Sequence, residues 1–372
     1  MPSATSRTPL IDMVKGLACA AIVCHHLAFY GPMSDIAAPL APWLMAWLYD
    51  YGRMAVQVFL VLGGYLAAAS LAPQGVARFD SAGAVITKRF VRLVVPYAVA
   101  LLLAVLVSAL VRSWMDHHSV PDEPTLAQLL ANALLLQDIV GEDALSAGVW
   151  YVAIDFQLFV LSVLVWAAVR ALPGGWARRN GPVIGKSLLV ALTATSLWVF
   201  NLDSSLDMWG WYFFGSYGLG MMAYWAVKSP RATGWLALMV LLGGTALAME
   251  HRGRIALALV ASVLLVAALR SARLRQWQGV APLVRLGQMS YSVFLVHFAV
   301  CLLVNAVVGH LFPESPVVNA LGMALAFTLS LMAGRELYQR VERHVPTWSM
   351  ALRWQAGLVG AGMLVAVSSH WA

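Results

Sequence analysis

The chain has 372 residues, 61% of them hydrophobic and only 11% charged, with 24 lysines and arginines against 17 aspartates and glutamates for a formal net charge of +7. A globular chain carries roughly 25% charge, so a soluble fold is excluded; so few charges cannot solvate such a surface, whereas a bilayer would cover most of it. Nor does the positive balance point to nucleic acid, because the basic residues are scattered between apolar runs and form no stripe with interleaved aromatics.

A window of roughly 19 residues predicts eleven apolar spans. The first, 9–30, follows Arg7 and contains Lys15; it resembles a secretion signal, but it carries His25 and His26 and leads to no cleavage site, so it reads as a retained span. The others cover 44–72, 90–112, 147–170, 186–201, 209–227, 233–250, 254–270, 287–312, 317–340 and 353–371. Between the third and fourth, 125–140 (TLAQLLANALLLQDIV) is too short and polar to cross and reads as an amphipathic helix at the outer interface. No soluble domain and no internal repeat is visible, so 1–372 is taken as a single transmembrane domain. Cys19, Cys24 and Cys301 all fall in apolar runs and suggest no disulfide framework. The expected fold is an all-α integral membrane protein, a polytopic bundle of about 10–11 helices.

Orientation follows from the alternate loops. With the N-terminus in the cytoplasm, only Arg53, Arg112, Arg252 and Arg254 fall outside, leaving 20 of the 24 basic residues inside. The N-terminus is therefore expected inside and the C-terminus outside.

Ionisable groups at membrane depth are costly, and each is a site candidate. In the first span, Lys15 and His26 are eleven residues apart, about three turns plus 20°, so they share one helix face about 16 Å apart. His26, or His25 beside it, is a candidate general base, since imidazole titrates near neutrality; both histidines could instead bond to neighbouring helices. At the entry to the third span, KRFVRLVVPY brings Lys88, Arg89 and Arg92 together, with the two arginines three apart on one face. They suit a phosphate clamp or ordinary lipid anchoring equally. Asp155, in GVWYVAIDFQLF, lies about 12 Å inside the outer boundary, a depth matching His26, so it is a candidate to orient that imidazole; it could otherwise pair with Gln57 or Arg53. Trp150 and Tyr151 read as interface aromatics or as walls of an outer sugar cleft. In LGQMSYSVFLVHF, Tyr291 is a further candidate substrate contact, while His297 taken alone reads as a satisfied core histidine. Glu336 and Glu342 close the tenth span.

Taken together these pieces resemble the membrane acyltransferase-3 family. The Asp12, Lys15, His26 span, FLVLGGYL, the Arg89-x-x-Arg92 pair followed by Pro96, WYVAIDFQLF, and LGQMSYSVFLVH with a late Glu before Pro346 match in order and cover nearly the whole chain. The resemblance implies transfer of an acyl group from cytoplasmic acetyl-CoA or another acyl-CoA to a hydroxyl of an extracytoplasmic glycan or glycolipid. No metal is implied, and the implied location is the bacterial inner membrane, in contact with membrane lipid. It further implies that His26 is the essential histidine and that Arg89 and Arg92, with Lys88 and Lys15 beside them, bind the donor. Lys15 stands where the family usually has Arg, Asp155 where Glu is common, and Gly63 where Ser is frequent. Two other readings share the buried charges: a glycan or lipid flippase, which would have no reason to cleave acyl-CoA, and a non-catalytic export partner, which would tolerate loss of His26.

Overall fold

The computed structural model describes residues 8–369, so Arg7 and the end of the eleventh predicted span, 370–371, lie outside the described residues. The long helices, in chain order, are α1 (Pro9–Phe29), α2 (Pro42–Tyr51), α3 (Val56–Leu71), α4 (Ala82–Val111), α5 (Trp150–Ala171), α6 (Gly175–Trp198), α7 (Gly210–Lys228), α8 (Ala232–Met249), α9 (Gly253–Arg270), α10 (Ser290–Leu311), α11 (Pro316–Leu337) and α12 (Trp348–Ser369). The described chain is all-α, and 10 of its stretches are long and apolar enough to cross a bilayer, α2 and α3 counting as one. It is a multi-pass membrane protein.

The differences from the predicted spans have local causes. The second span is interrupted by a 3-10 turn over Gly52–Ala55. The third begins at Ala82 rather than 90, because the Ser81 hydroxyl accepts from the Ala84 amide and starts the helix a turn and more before the apolar run. Lys88, Arg89 and Arg92 therefore lie within a helix and not at its entry. The fifth starts at Gly175, since Arg178 and Arg179 are helical although too polar for a hydropathy window. The predicted helix over 125–140 is two pieces, Leu126–Ala133, opened by a capping box from Thr125 and Gln128, and Gln137–Val140; Leu135, at φ 59°, breaks the run.

Contacts divide the chain into two compact units. One comprises 1–11, 56–89 and 153–279. At its heart α7 is buried continuously from Tyr212 to Ala226. Because protein and not lipid surrounds α7, it can carry tyrosine, tryptophan and glycine all round, and for the same reason it lacks the apolarity of the other ten spans. Its closest neighbour is α3. A Cβ on Gly64 would strike the Tyr217 carbonyl, and one on Gly220 the Val61 carbonyl, so the two helices meet backbone to backbone. Arg252 is buried here, its guanidinium donating to the carbonyls of Leu197 (2.9 Å) and Ala246 (3.2 Å) and to Asn201 Oδ1 (2.8 Å).

The other unit comprises 12–55, 90–152 and 280–372. Its core is α10 packed along α11, with the short helix Met33–Ala37 against α11. The Met33 amide donates to Asn305 Oδ1 at 2.9 Å and the Asn305 amide to the Tyr30 carbonyl at 3.2 Å, which pins the segment after α1 to α10. The Leu126–Ala133 helix rests on α12, where the Gln355 side chain donates to the Ala133 carbonyl.

Candidate active site

Near the C-terminal end of α1, two histidines separated by 271 residues of sequence meet. His26 Nδ1 lies 2.5 Å from His297 Nε2. The rings are within 6° of parallel and their centroids 4.8 Å apart. That separation exceeds the N···N distance by about two ring radii, so the imidazoles share a plane edge to edge instead of stacking face to face.

The partners settle where the protons sit when both rings are neutral. His297 Nδ1 is 2.7 Å from the Phe294 carbonyl, which can only accept, so Nδ1 carries the proton and Nε2 the lone pair. His26 Nδ1–H then donates to that lone pair. A neutral imidazole has one N–H, so His26 Nε2 is left as a bare base. His297 is fully buried while His26 keeps partial exposure, as the group that meets a substrate must.

The pocket around His26 is aromatic and tight. Tyr30 lies 5.6 Å from its ring, and Tyr151 packs edge-on to Phe294 at 5.7 Å, with Trp150 edge-on to Tyr151 at 6.3 Å. Gly148, at φ 77°, approaches so closely that a Cβ there would lie 3.2 Å from His26 Cε1 and 3.1 Å from Phe294 Cζ. His25 is differently engaged: it is buried against Gly52, and its Nδ1 donates to the Leu48 carbonyl at 2.9 Å, tying α1 to α2.

Toward the other end of α1, Lys15 lies 3.9 Å from Asp12. Glu342, in the π-helical turn after α11, accepts from the Ser292 hydroxyl at 2.6 Å and amide at 3.2 Å and lies within electrostatic reach of Arg92 and Lys15. The Tyr291 hydroxyl donates to the Leu93 carbonyl at 3.0 Å; this residue stands almost two turns from His297 along α10.

In the other unit, Arg89 and Asp155 form a half-buried ion pair, with the Arg89 guanidinium 5.3 Å over the Phe159 ring. Asp155 also borders the buried Tyr217, and both face Gly63, whose missing side chain leaves the space between them: a Cβ would lie 3.3 Å from Tyr217 Cε2 and 3.6 Å from Asp155 Oδ1. Gln57 bonds elsewhere, accepting from the Ser216 hydroxyl at 2.6 Å. Lys88 and Arg92 are exposed.

The sequence expectation placed Asp155 on the orienting nitrogen of His26. That nitrogen is occupied by His297, and the Asp155 carboxylate is engaged by Arg89. Three contributors escaped the sequence reading: His297 as the partner of His26, Gly148, and Tyr217, which is concealed in an aromatic and glycine-rich run. Among the described residues no group of three or more His, Cys, Asp and Glu side chains is placed to hold a metal ion.

The model of the acyltransferase-3 family, an acyltransferase domain, matches residues 9–335 of this chain. No curated protein and no solved structure gives a significant match.

Proposed function

Since the chain belongs to the acyltransferase-3 family and accordingly transfers acyl groups, we propose that it moves an acetyl group from acetyl-CoA, or a similar acyl group from its CoA thioester, to a hydroxyl of an extracytoplasmic glycan or glycolipid, in the bacterial inner membrane. The observation that carries this reading is the His26–His297–Phe294 hydrogen-bond chain, which leaves His26 Nε2 unprotonated beside a partly exposed aromatic pocket.

His26 Nε2 takes the proton of the acceptor hydroxyl as its oxygen attacks the thioester carbonyl carbon. The resulting imidazolium keeps its Nδ1–H on the His297 Nε2 lone pair, a neutral acceptor that fixes the ring's orientation without the negative charge that a triad carboxylate brings. The tetrahedral intermediate collapses, the C–S bond breaks, and the proton on His26 passes to the departing CoA sulfur. Trp150 and Tyr151 offer aromatic faces of the kind that hold sugars. On the donor side, the basic residues of α4, Lys88, Arg89 and Arg92, with Lys15 of α1, supply the positive charge that the phosphates of CoA require. Asp155 holds Arg89 in a fixed rotamer.

The test is release of CoA thiol from acetyl-CoA by the purified protein, together with the O-acetyl content of envelope glycans in cells carrying each variant. His26→Gln, verified to be folded and inserted, is expected to lower the rate by about 10²–10⁴-fold, the range for loss of a general base. His297→Gln, whose amide oxygen can still accept from His26 Nδ1–H, should retain more activity than His297→Leu. His25→Gln should remain near the parent rate. A wild-type rate in His26→Gln would refute the reading.

A further inference from the structure

The chain between α4 and α5 leaves and returns at one level and reaches far from it in between. Arg112, just past the last turn of α4, donates to the Pro121 and Asp122 carbonyls at 3.1 and 3.0 Å. Ala147 packs with Val111 and Met115 at that same end. Between these points Asp138 comes within electrostatic reach of the fully buried Tyr97, which stands fourteen residues, or about 21 Å, back along α4 from Val111. Helix α12 is an independent ruler. A Cβ on Gly362 would strike the Leu129 side chain, and the Ala133 carbonyl accepts from Gln355, fourteen residues before Ser369 and again about 21 Å from the helix end. Both α4 and α12 are long and apolar enough to cross a bilayer. Its hydrocarbon core is ~30 Å thick, so a turn 21 Å back from helix ends at the surface lies past the middle.

Exposure agrees with this depth. A helix lying on the interface shows a polar face to water. Within Leu126–Ala133 the exposed residues are Leu126, Ala127 and Leu130, while Gln128 and Asn132 turn inward. Leu134 and Leu136, at the turn, are exposed as well. Irregular backbone at such depth has to find its partners in protein or in a water-filled recess. Asn132, fully buried, supplies several: its amide donates to the Gln128 and Asp143 carbonyls, both at 2.9 Å, and its Oδ1 accepts from the Leu145 amide at 3.1 Å. It thereby ties the descending limb to the returning one, three residues short of Gly148, where His26 closes in. On the returning limb Asp143 is exposed, a charge that lipid tails do not tolerate, so this side opens on water.

We propose that 125–148 is a re-entrant hairpin, its leucines against lipid tails and its returning limb on water, and that Asn132 is the positioning residue that seats Gly148 against His26. The second part rests on the reading of His26 as the base; the first does not.

Spin labels are attached at Leu126→Cys, Leu134→Cys or Asp143→Cys in the full chain, with Cys19, Cys24 and Cys301 replaced by alanine. In nanodiscs, collisions with oxygen, which concentrates among lipid tails, are compared with collisions with a water-soluble nickel chelate. The Leu134 label should lie about 12 Å deeper than the Leu126 label and be hidden from nickel, with the Asp143 label open to it. Equal depths at 126 and 134, or nickel access at 134, would overturn the hairpin. For the positioning role, the folded, monodisperse fraction of Asn132→Ala should release CoA thiol with kcat lowered about tenfold or more and KM for acetyl-CoA unchanged. Adding Gly148→Ala should lower kcat little further, since both changes act on one ring. A parental kcat in Asn132→Ala, a raised KM instead, or losses that multiply in the double variant would each overturn that role. A parental rate in His26→Gln would sink the base reading instead and leave the label depths as they are.

Discussion

Gly148 stands at φ 77° in the turn before α5, with His26 and Phe294 close to where a Cβ would stand. Two effects of a methyl group there can be separated. Left-handed backbone costs an L residue about 1–2 kcal/mol, and the added Cβ would also push on the His26 ring. Gly141 has almost the same φ, 76°, yet nothing lies within 4 Å of its Cβ position, so Gly141→Ala suffers the backbone cost alone. Gly148→Ala is expected to lose at least as much thermal stability as Gly141→Ala, and only Gly148→Ala should lose specific activity, because there the His26 ring must give way by a few tenths of an ångström. Equal specific activity in the two variants would show that Gly148 is there for the turn and not for His26. At this scale the sequence was partly legible. The eleven-residue spacing from Lys15 singled out His26, and the loss of nearly all charge from the spans made Arg89 and Asp155 conspicuous. What pairs with what was not legible. His297 and Phe294 supply the groups that define the His26 tautomer, and they come from a helix 271 positions away.

Among the helices, Arg252 is one of the four basic residues that the loop count leaves outside, and its bonds explain why it is there. Its guanidinium donates to the Leu197 carbonyl in the last turn of α6 and the Ala246 carbonyl in the last turn of α8, and Asn201 completes the set. Lysine, a single point donor, could not bridge these three acceptors. Arg252→Ala is expected to destabilise the protein by about 1.5–3 kcal/mol per charged hydrogen bond left unmade, read as a lower aggregation temperature in detergent, with the specific activity of the surviving folded fraction unchanged. A variant as stable as the parent would show that the guanidinium contributes nothing to holding these helix ends. Helix α7 makes the complementary point. Its sequence, GWYFFGSYGLGMMAYWAVK, suits a protein environment better than lipid, and its glycines show why: bulk at Gly220 would force its backbone away from that of α3, and Gly215 and Gly218 meet α6 as closely. A hydropathy window scores contact with lipid, so it underrates a helix that has none.

For the whole chain, the orientation turns on α7. If it crosses with the other ten spans, eleven crossings carry the chain from a cytoplasmic N-terminus to an outer C-terminus, and the 20 of 24 basic residues on the inner side satisfy the positive-inside rule. Reporter fusions check this directly: alkaline phosphatase joined after Ser369 should be active and a fluorescent protein there dark, with the reverse pattern at Ser229. Phosphatase activity at Ser229 with fluorescence after Ser369, the pattern reversed at both positions, would overturn an eleven-crossing chain with an inner N-terminus. Composition by itself decided that this is a polytopic helical membrane protein, because a chain with 11% charge has no other way to satisfy its surface. The order of the loose motifs gave the family, and the scarcity of buried charge pointed to the residues that matter. Only the tertiary structure decided the pairings: His26 with His297, Asp155 with Arg89, Glu342 with Ser292, and Asn132 with Leu145. The reason is physical. Hydropathy and spacing act along one helix, whereas a hydrogen bond between helices depends on which faces meet, and small residues and buried polar groups scattered through the chain determine that.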